Sequence, residues 1–164
     1  MLDALSRIGD HLAREGVVAD LHIIGGAVMV TEYDARDSTA DIHAVDYTRH
    51  GAVERAAAHV AAEMDLPRSW LNQQASTFAP SDGDWRRSTV FDHSHLHLYV
   101  IAPAQLLAMK VRAGRPTDAE DIGTLCRLLN IHTTGEAEHI TQRAFPGEPV
   151  PTRGLDLVAD ILGR

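Results

Sequence analysis

The stretch VVADLHIIGGAVMV, residues 17–30, decides how the rest of the chain is read. Its first eight residues are mostly apolar and β-branched, and Gly25-Gly26 closes them. That pattern is a buried strand ending in a tight turn. The apolar residues that follow, Ala27 to Tyr33, read as a short helix. Working outward, LDALSRIGDHLARE puts Leu2, Leu5, Ile8 and Leu12 on one helical stripe, with Gly16 as its stop. STADIHAVD, residues 38–46, supplies a strand at about 40–45, and the alanine-rich GAVERAAAHVAAEM, residues 51–64, is helical.

LPRSWLNQQASTFAPSDGDW, residues 66–85, is dense in Pro, Ser and Asp and reads as loop or short helix. STVFD (88–92) and HLHLYVIA (95–102) read as two strands. From Pro103 onward every segment is helical. PAQLLAMKVRAG starts on a proline and stops on Gly114. Thr117 with Glu120, and Thr133 with Glu136, have capping-box spacing for the next two helices. GLDLVADILG makes a last one. The order is a helix, then strands around one long helix, then helices. It predicts an α+β fold with a small mixed sheet, an α/β core over 1–102 and a helical part over 103–164 of the same single domain.

Length and composition narrow the function. A chain of 164 residues is one domain with room for a real core. No apolar run approaches the ~18 residues of a membrane span, and no basic, then apolar, leader opens the sequence. Cys126 is the only cysteine, so no internal disulfide forms; set among leucines it reads as a small core residue. These features predict a cytoplasmic protein without a membrane partner. The net charge of -8 disfavours passive binding to nucleic acid.

Four constellations carry chemistry. Gly25-Gly26 leaves backbone amides open to a phosphate, or simply makes the turn. On the strand at 40–45, period 2 puts Asp41, His43 and Val45 on one face and Ile42, Ala44 and Asp46 on the other. Asp41 suits a divalent metal; His43 suits zinc or manganese and is a poor magnesium ligand. Lys110 and Arg115 are placed to clamp phosphates, while Asp118 and Asp121, at the start of a helix, also complement its dipole. His93, His95, His97 and Tyr99 share a strand face where imidazoles at i, i+2 can meet a transition metal or be simply solvated.

IIGGAVMV, ARDSTADIHAVD, LPRSWLNQQASTFAP and LLAMKVRAGRPTDAEDIGTL together resemble the bacterial nucleotidyltransferase-like domains of unknown function. These are related to AbiE-type toxins and to the polymerase-beta nucleotidyltransferase superfamily. The resemblance covers about residues 18 to 145, and the WLN and LLAMK…R…DAEDI segments are its most specific parts. It implies a polymerase-beta type sheet and a site that takes an NTP with magnesium or manganese. In that site Gly25, Gly26, Arg36 and Thr39 bind the nucleotide. Asp41 is the first metal carboxylate, and Lys110 contacts the phosphates with Arg115, Asp118 and Asp121 beside it. Where the superfamily has its second carboxylate this chain has His43. Where it often has a third acid, the neighbouring strand offers His95 and His97, so the implied metal set is Asp41, His43 and His97.

Three readings follow from that departure. The chain transfers NMP from an NTP to RNA, a protein or a small molecule, as toxins paired with an antitoxin do. Alternatively it is a degenerate relative that binds a nucleotide or a partner protein, or an enzyme rebuilt around histidine and a transition metal. The sequence leaves all three open.

Overall fold

In the computed structural model, which describes residues 1–33 and 41–163, strand β1 (Ala19–Ile24) has a neighbour on each side. Strand β2 (Ile42–Tyr47) runs antiparallel to it and β5 (Leu96–Ile101) parallel. Two short strands complete the sheet: β3 (Leu71–Asn72) beside β2, in parallel, and β4 (Trp85–Arg87) beside β5. The order is β3-β2-β1-β5-β4. Among the described residues seven α-helices accompany this mixed five-stranded sheet, so the fold is α+β.

Strand alternation separates the two faces of the sheet. Leu21, Ile23, Ile42, Ala44, Leu96 and Leu98 are fully buried. Their neighbours Asp20, His22, His43, His97 and Tyr99 are half-buried, which leaves one face polar. One irregularity changes the face of a candidate residue. His22 pairs with Asp46 but Ile23 pairs with Ala44, so Val45 is an extra residue on β2. The bulge resets the alternation. Asp46, expected opposite His43, therefore lies on the same face as His43, and Tyr47 takes the buried side.

The chain forms two compact units. The first comprises Met1–Thr77 and Trp85–Val100. In it α1 (Leu2–Arg14) packs on α3 (His50–Glu63), burying Leu5, Ile8 and Leu12 on one and Val53, Ala56 and Val60 on the other. Between them in sequence lies α2 (Gly26–Glu32), starting at the expected glycine pair. The expected strand at 88–92 is absent. Ser88 and Thr89 instead hydrogen-bond the Glu32 carboxylate, and the Ser88 hydroxyl accepts from the amides of Val90 and Phe91. Ser88 still donates its amide to the Leu98 carbonyl of β5 at 2.8 Å, as the residue after β4, but the amides of Thr89, Val90 and Phe91 are taken by side-chain oxygens, so the ladder stops there.

The second unit comprises Phe78–Asp84 and Ile101–Arg164. It contains α4 (Pro103–Ala113), α5 (Ala119–Leu129), α6 (Thr134–Ala144) and α7 (Thr152–Leu162). Gly114 ends α4 at φ 55, a left-handed value that glycine takes without strain. Thr133 and Glu136 form the expected capping box. The matching pair at Thr117 and Glu120 does not, because Pro116–Asp118 is a 3-10 turn and α5 starts with Asp118 at its cap position. Cys126 is buried, and burial pushes its thiol pKa up, which keeps it protonated and inert.

Two outcomes test this packing. A β-carbon at Gly154 would overlap the carbonyl oxygen of Val111, where α7 crosses α4. Backbone cannot yield as a flexible side chain can. Gly154→Ala should therefore destabilise by about 1–3 kcal/mol in urea unfolding, despite alanine's better helix propensity. The Glu136 carboxylate accepts from the amides of His132 and Thr133 and from the Thr133 hydroxyl, which holds its pKa below the ordinary value. A depressed folded pKa adds stability that is complete above the unfolded value of about 4.3 and is lost as pH falls through the lower folded value. Glu136→Gln should destabilise at pH 7 and become silent in strong acid.

Candidate functional site

Asp41 immediately precedes β2, and His43 is the second residue of that strand. What surrounds them is set by β3. Its two residues pair in parallel with β2, Leu71 beside Ile42 and Asn72 beside His43. The pairing is anchored one residue earlier. The Trp70 carbonyl accepts from Ile42 N at 2.6 Å, and Trp70 itself is only 4% exposed. Its indole nitrogen donates to the Ala57 carbonyl of α3 at 3.1 Å. The aromatic of the WLN segment thus fixes where the asparagine goes.

Asn72 touches both candidate ligands. Its Nδ2 donates to the Ser69 carbonyl at 2.9 Å and to Asp41 Oδ2 at 3.3 Å. Its Oδ1 accepts from the Gln74 amide at 3.1 Å and from His43 Nδ1 at 3.0 Å. The other ring nitrogen, His43 Nε2, lies 3.6 Å from Asp41 Oδ2. His43 and Asp41 side chains are 30% and 37% exposed, so the pair reaches solvent. Gly25 stands on the neighbouring strand end, since Ile24 pairs with His43. A β-carbon at Gly25 would sit 3.6 Å from the His43 ring, and φ 76 there favours glycine. His43 therefore neighbours both Gly25 and Asp41. Asn72 is the member that sequence reasoning missed as a partner of this pair.

His97 does not join them. It pairs with Asp20, four positions along β1 from Ile24, which is the partner of His43. At about 3.3 Å per residue that is roughly 13 Å along the sheet, too far for one metal ion. His97 Nδ1 donates instead to Asp20 Oδ1 at 2.9 Å. The histidine face also divides. His93 packs on Gly9 and approaches Asp10 at 3.5 Å, and His95 pairs with Ser94. Both precede β5, so strand alternation does not apply to them. On the polar face the His22 ring stacks on Tyr99 at 4.8 Å and meets Trp85 edge-on. Among the described residues no group of three or more His, Cys, Asp or Glu side chains is placed to hold a metal ion. Arg36 and Thr39 lie outside the described residues.

Lys110, Arg115, Asp118 and Asp121 belong to the second unit. Lys110 is buried, and its ammonium is ion-paired with Asp118 at 2.7 Å and with Asp121 at 2.6 Å. The Asp121 side chain is fully buried. The two acids at the helix start thus hold a lysine from α4 as well as complementing the dipole of α5. Arg115 caps the 3-10 turn through its carbonyl.

No protein family, curated protein or solved structure matches the chain.

The buried triad has a clear energetic consequence. Lys110→Met keeps the volume and removes a charge at 2.6 Å from the buried Asp121 carboxylate. It should destabilise by about 3–5 kcal/mol, read as a lower urea midpoint with unchanged slope. Loss of stability below 1 kcal/mol would mean that the acids are compensated elsewhere.

Proposed function

We propose that the chain is a metal-dependent nucleotidyltransferase of the polymerase-beta type. The observation that supports it best is the Asp41–His43 pair beside Gly25, held by Asn72. An oxygen and a nitrogen donor facing each other at 3.6 Å suit a shared divalent cation. The arrangement also agrees with the resemblance, in which a glycine pair, an acid and a ligand two residues on form the nucleotide site.

In the proposed reaction an acceptor hydroxyl oxygen attacks the α-phosphorus of an NTP. The bond to the bridging oxygen breaks, pyrophosphate leaves and the hydroxyl proton passes to solvent. Asp41 and His43 would hold the cation, which would supply charge neutralisation on the phosphates. Gly25 and Gly26 offer backbone without side chains beside them. Rate enhancement in such a site comes from positioning and electrostatics. The acceptor is RNA or protein, and a toxin acting beside a cognate antitoxin is the physiological setting that the resemblance suggests.

A second reading has an observation of its own. His43 brings no negative charge where a second carboxylate would bring one, and among the described residues no third His, Cys, Asp or Glu completes a metal-holding group with the pair. That favours a degenerate fold that binds nucleotide or a partner protein without turnover.

His43→Asp separates the two. Incubated with labelled NTPs, RNA and magnesium, the variant should transfer nucleotide faster than the natural chain, because two carboxylates suit a hard dication. Asp41→Asn should abolish transfer in either background. If both proteins bind NTP and neither transfers with magnesium or manganese, the chain is a binding module.

A further inference from the structure

We propose that Asn72 is a positioning residue that presents the bare Nε2 of His43 to Asp41. The two side chains then select a manganese- or zinc-class dication over magnesium. The inference rests on the reading of Asp41 and His43 as a metal pair, and adds the residue and the tautomer that make histidine serve there.

The side-chain amide of Asn72 has its two ends fixed by backbone groups of opposite kind. The Ser69 carbonyl can only accept, so the atom 2.9 Å from it is the nitrogen Nδ2. The Gln74 amide can only donate, so the atom 3.1 Å from it is Oδ1. That Oδ1 is also 3.0 Å from His43 Nδ1. A carbonyl oxygen has no proton to give, so His43 Nδ1 carries the hydrogen and donates. In the neutral imidazole the lone pair is then on Nε2.

Nε2 faces Asp41 Oδ2 at 3.6 Å. This separation is too long for a hydrogen bond. With the ring neutral, the two lone pairs face each other and repel, and either a proton on Nε2 or a shared cation relieves the repulsion. Metal bonds of about 2.1 Å to nitrogen and oxygen, opened to a tetrahedral angle, hold their donors about 3.4 Å apart. The observed spacing matches that span. Asn72 holds the oxygen side as well, since Nδ2 donates to the same Oδ2 of Asp41 at 3.3 Å. One side chain thus orients both ligands. A ring nitrogen and one carboxylate suit manganese or zinc, whereas magnesium prefers oxygen donors throughout.

The test uses the full chain without nucleotide. Nitrogen-15 NMR of the His43 ring, with no metal present, should show the Nδ1–H tautomer. An Nε2–H tautomer, or a ring carrying both protons at neutral pH, overturns the proposal. Manganese titration followed by electron paramagnetic resonance gives the second readout. Asn72→Leu should weaken manganese binding about 10- to 100-fold, and His43→Leu should weaken it at least as much. Asn72→Asp keeps an acceptor for His43 Nδ1 and for the Gln74 amide, so the Nδ1–H tautomer should survive in it. If it loses the tautomer as the leucine variant does, Asn72 acts only through its loop and the proposal fails. Equal manganese binding in the natural chain and in His43→Leu also sinks it. The reading as a transferase fails separately: His43-dependent manganese binding without transfer removes the enzyme and leaves this inference intact.

Discussion

Strand β1 is hydrogen-bonded on both sides, in opposite senses, and that constraint organises the first unit. A buried strand must pair all its backbone groups. Here β2 takes one side antiparallel and β5 the other parallel. With both registers fixed, the polar residues of three strands share one face of the sheet. Gly25 follows where β1 ends, because a backbone at φ 76 is cheap only for glycine. The same register that puts Ile24 beside His43 puts Asp20 beside His97. It therefore unites Gly25 with His43 and parts His43 from His97.

Local pattern carried most of the elements. The stripe of Leu5, Ile8 and Leu12 became the buried face of α1, and the alternation of Leu96, Leu98 and Val100 became the buried side of β5. The placing of His43 beside Asp41 and Gly25 was legible because each lies within one strand of the same turn. What was illegible depends on partners distant in sequence. The bulge at Val45 appears only when β2 is laid against β1, and without it Asp46 is assigned to the wrong face. Asn72 lies in a strand of two residues, too short for any periodicity, and its register against β2 is a long-range fact. The turn at 88–92 looked like a strand because its partner, Glu32, is 56 residues from Ser88.

The two acids of the DAEDI segment show how one pattern serves two purposes. Acids in the first turn of a helix need no further explanation than its dipole. Yet Asp121 is fully buried, and a buried carboxylate without a counter-charge would cost several kcal/mol. Lys110 answers that need from α4, and Asp118 shares the same ammonium. The triad fixes the register of α4 against the start of α5. A lysine so held is no longer a flexible surface cation, and any contact it makes with a ligand must compete with two carboxylates at ion-pair distance.

In the proposed site a histidine at position 43 differs from an acid in more than charge. A carboxylate offers a cation several oxygen lone pairs and tolerates rotation, whereas an imidazole offers one lone pair in one direction. A histidine at this position is useful to a metal only when something fixes both the ring and its tautomer. That requirement falls on Asn72, whose own orientation is set by the carbonyl of Ser69 and the amide of Gln74. Those backbone groups are placed in turn by Trp70, through its carbonyl on Ile42 and its indole on Ala57. The chain of dependence runs from α3, through one buried indole, to the direction of a single lone pair. In the proposed metal site an aspartate at position 43 would need none of it, so that reading joins the WLN segment and His43 in one device.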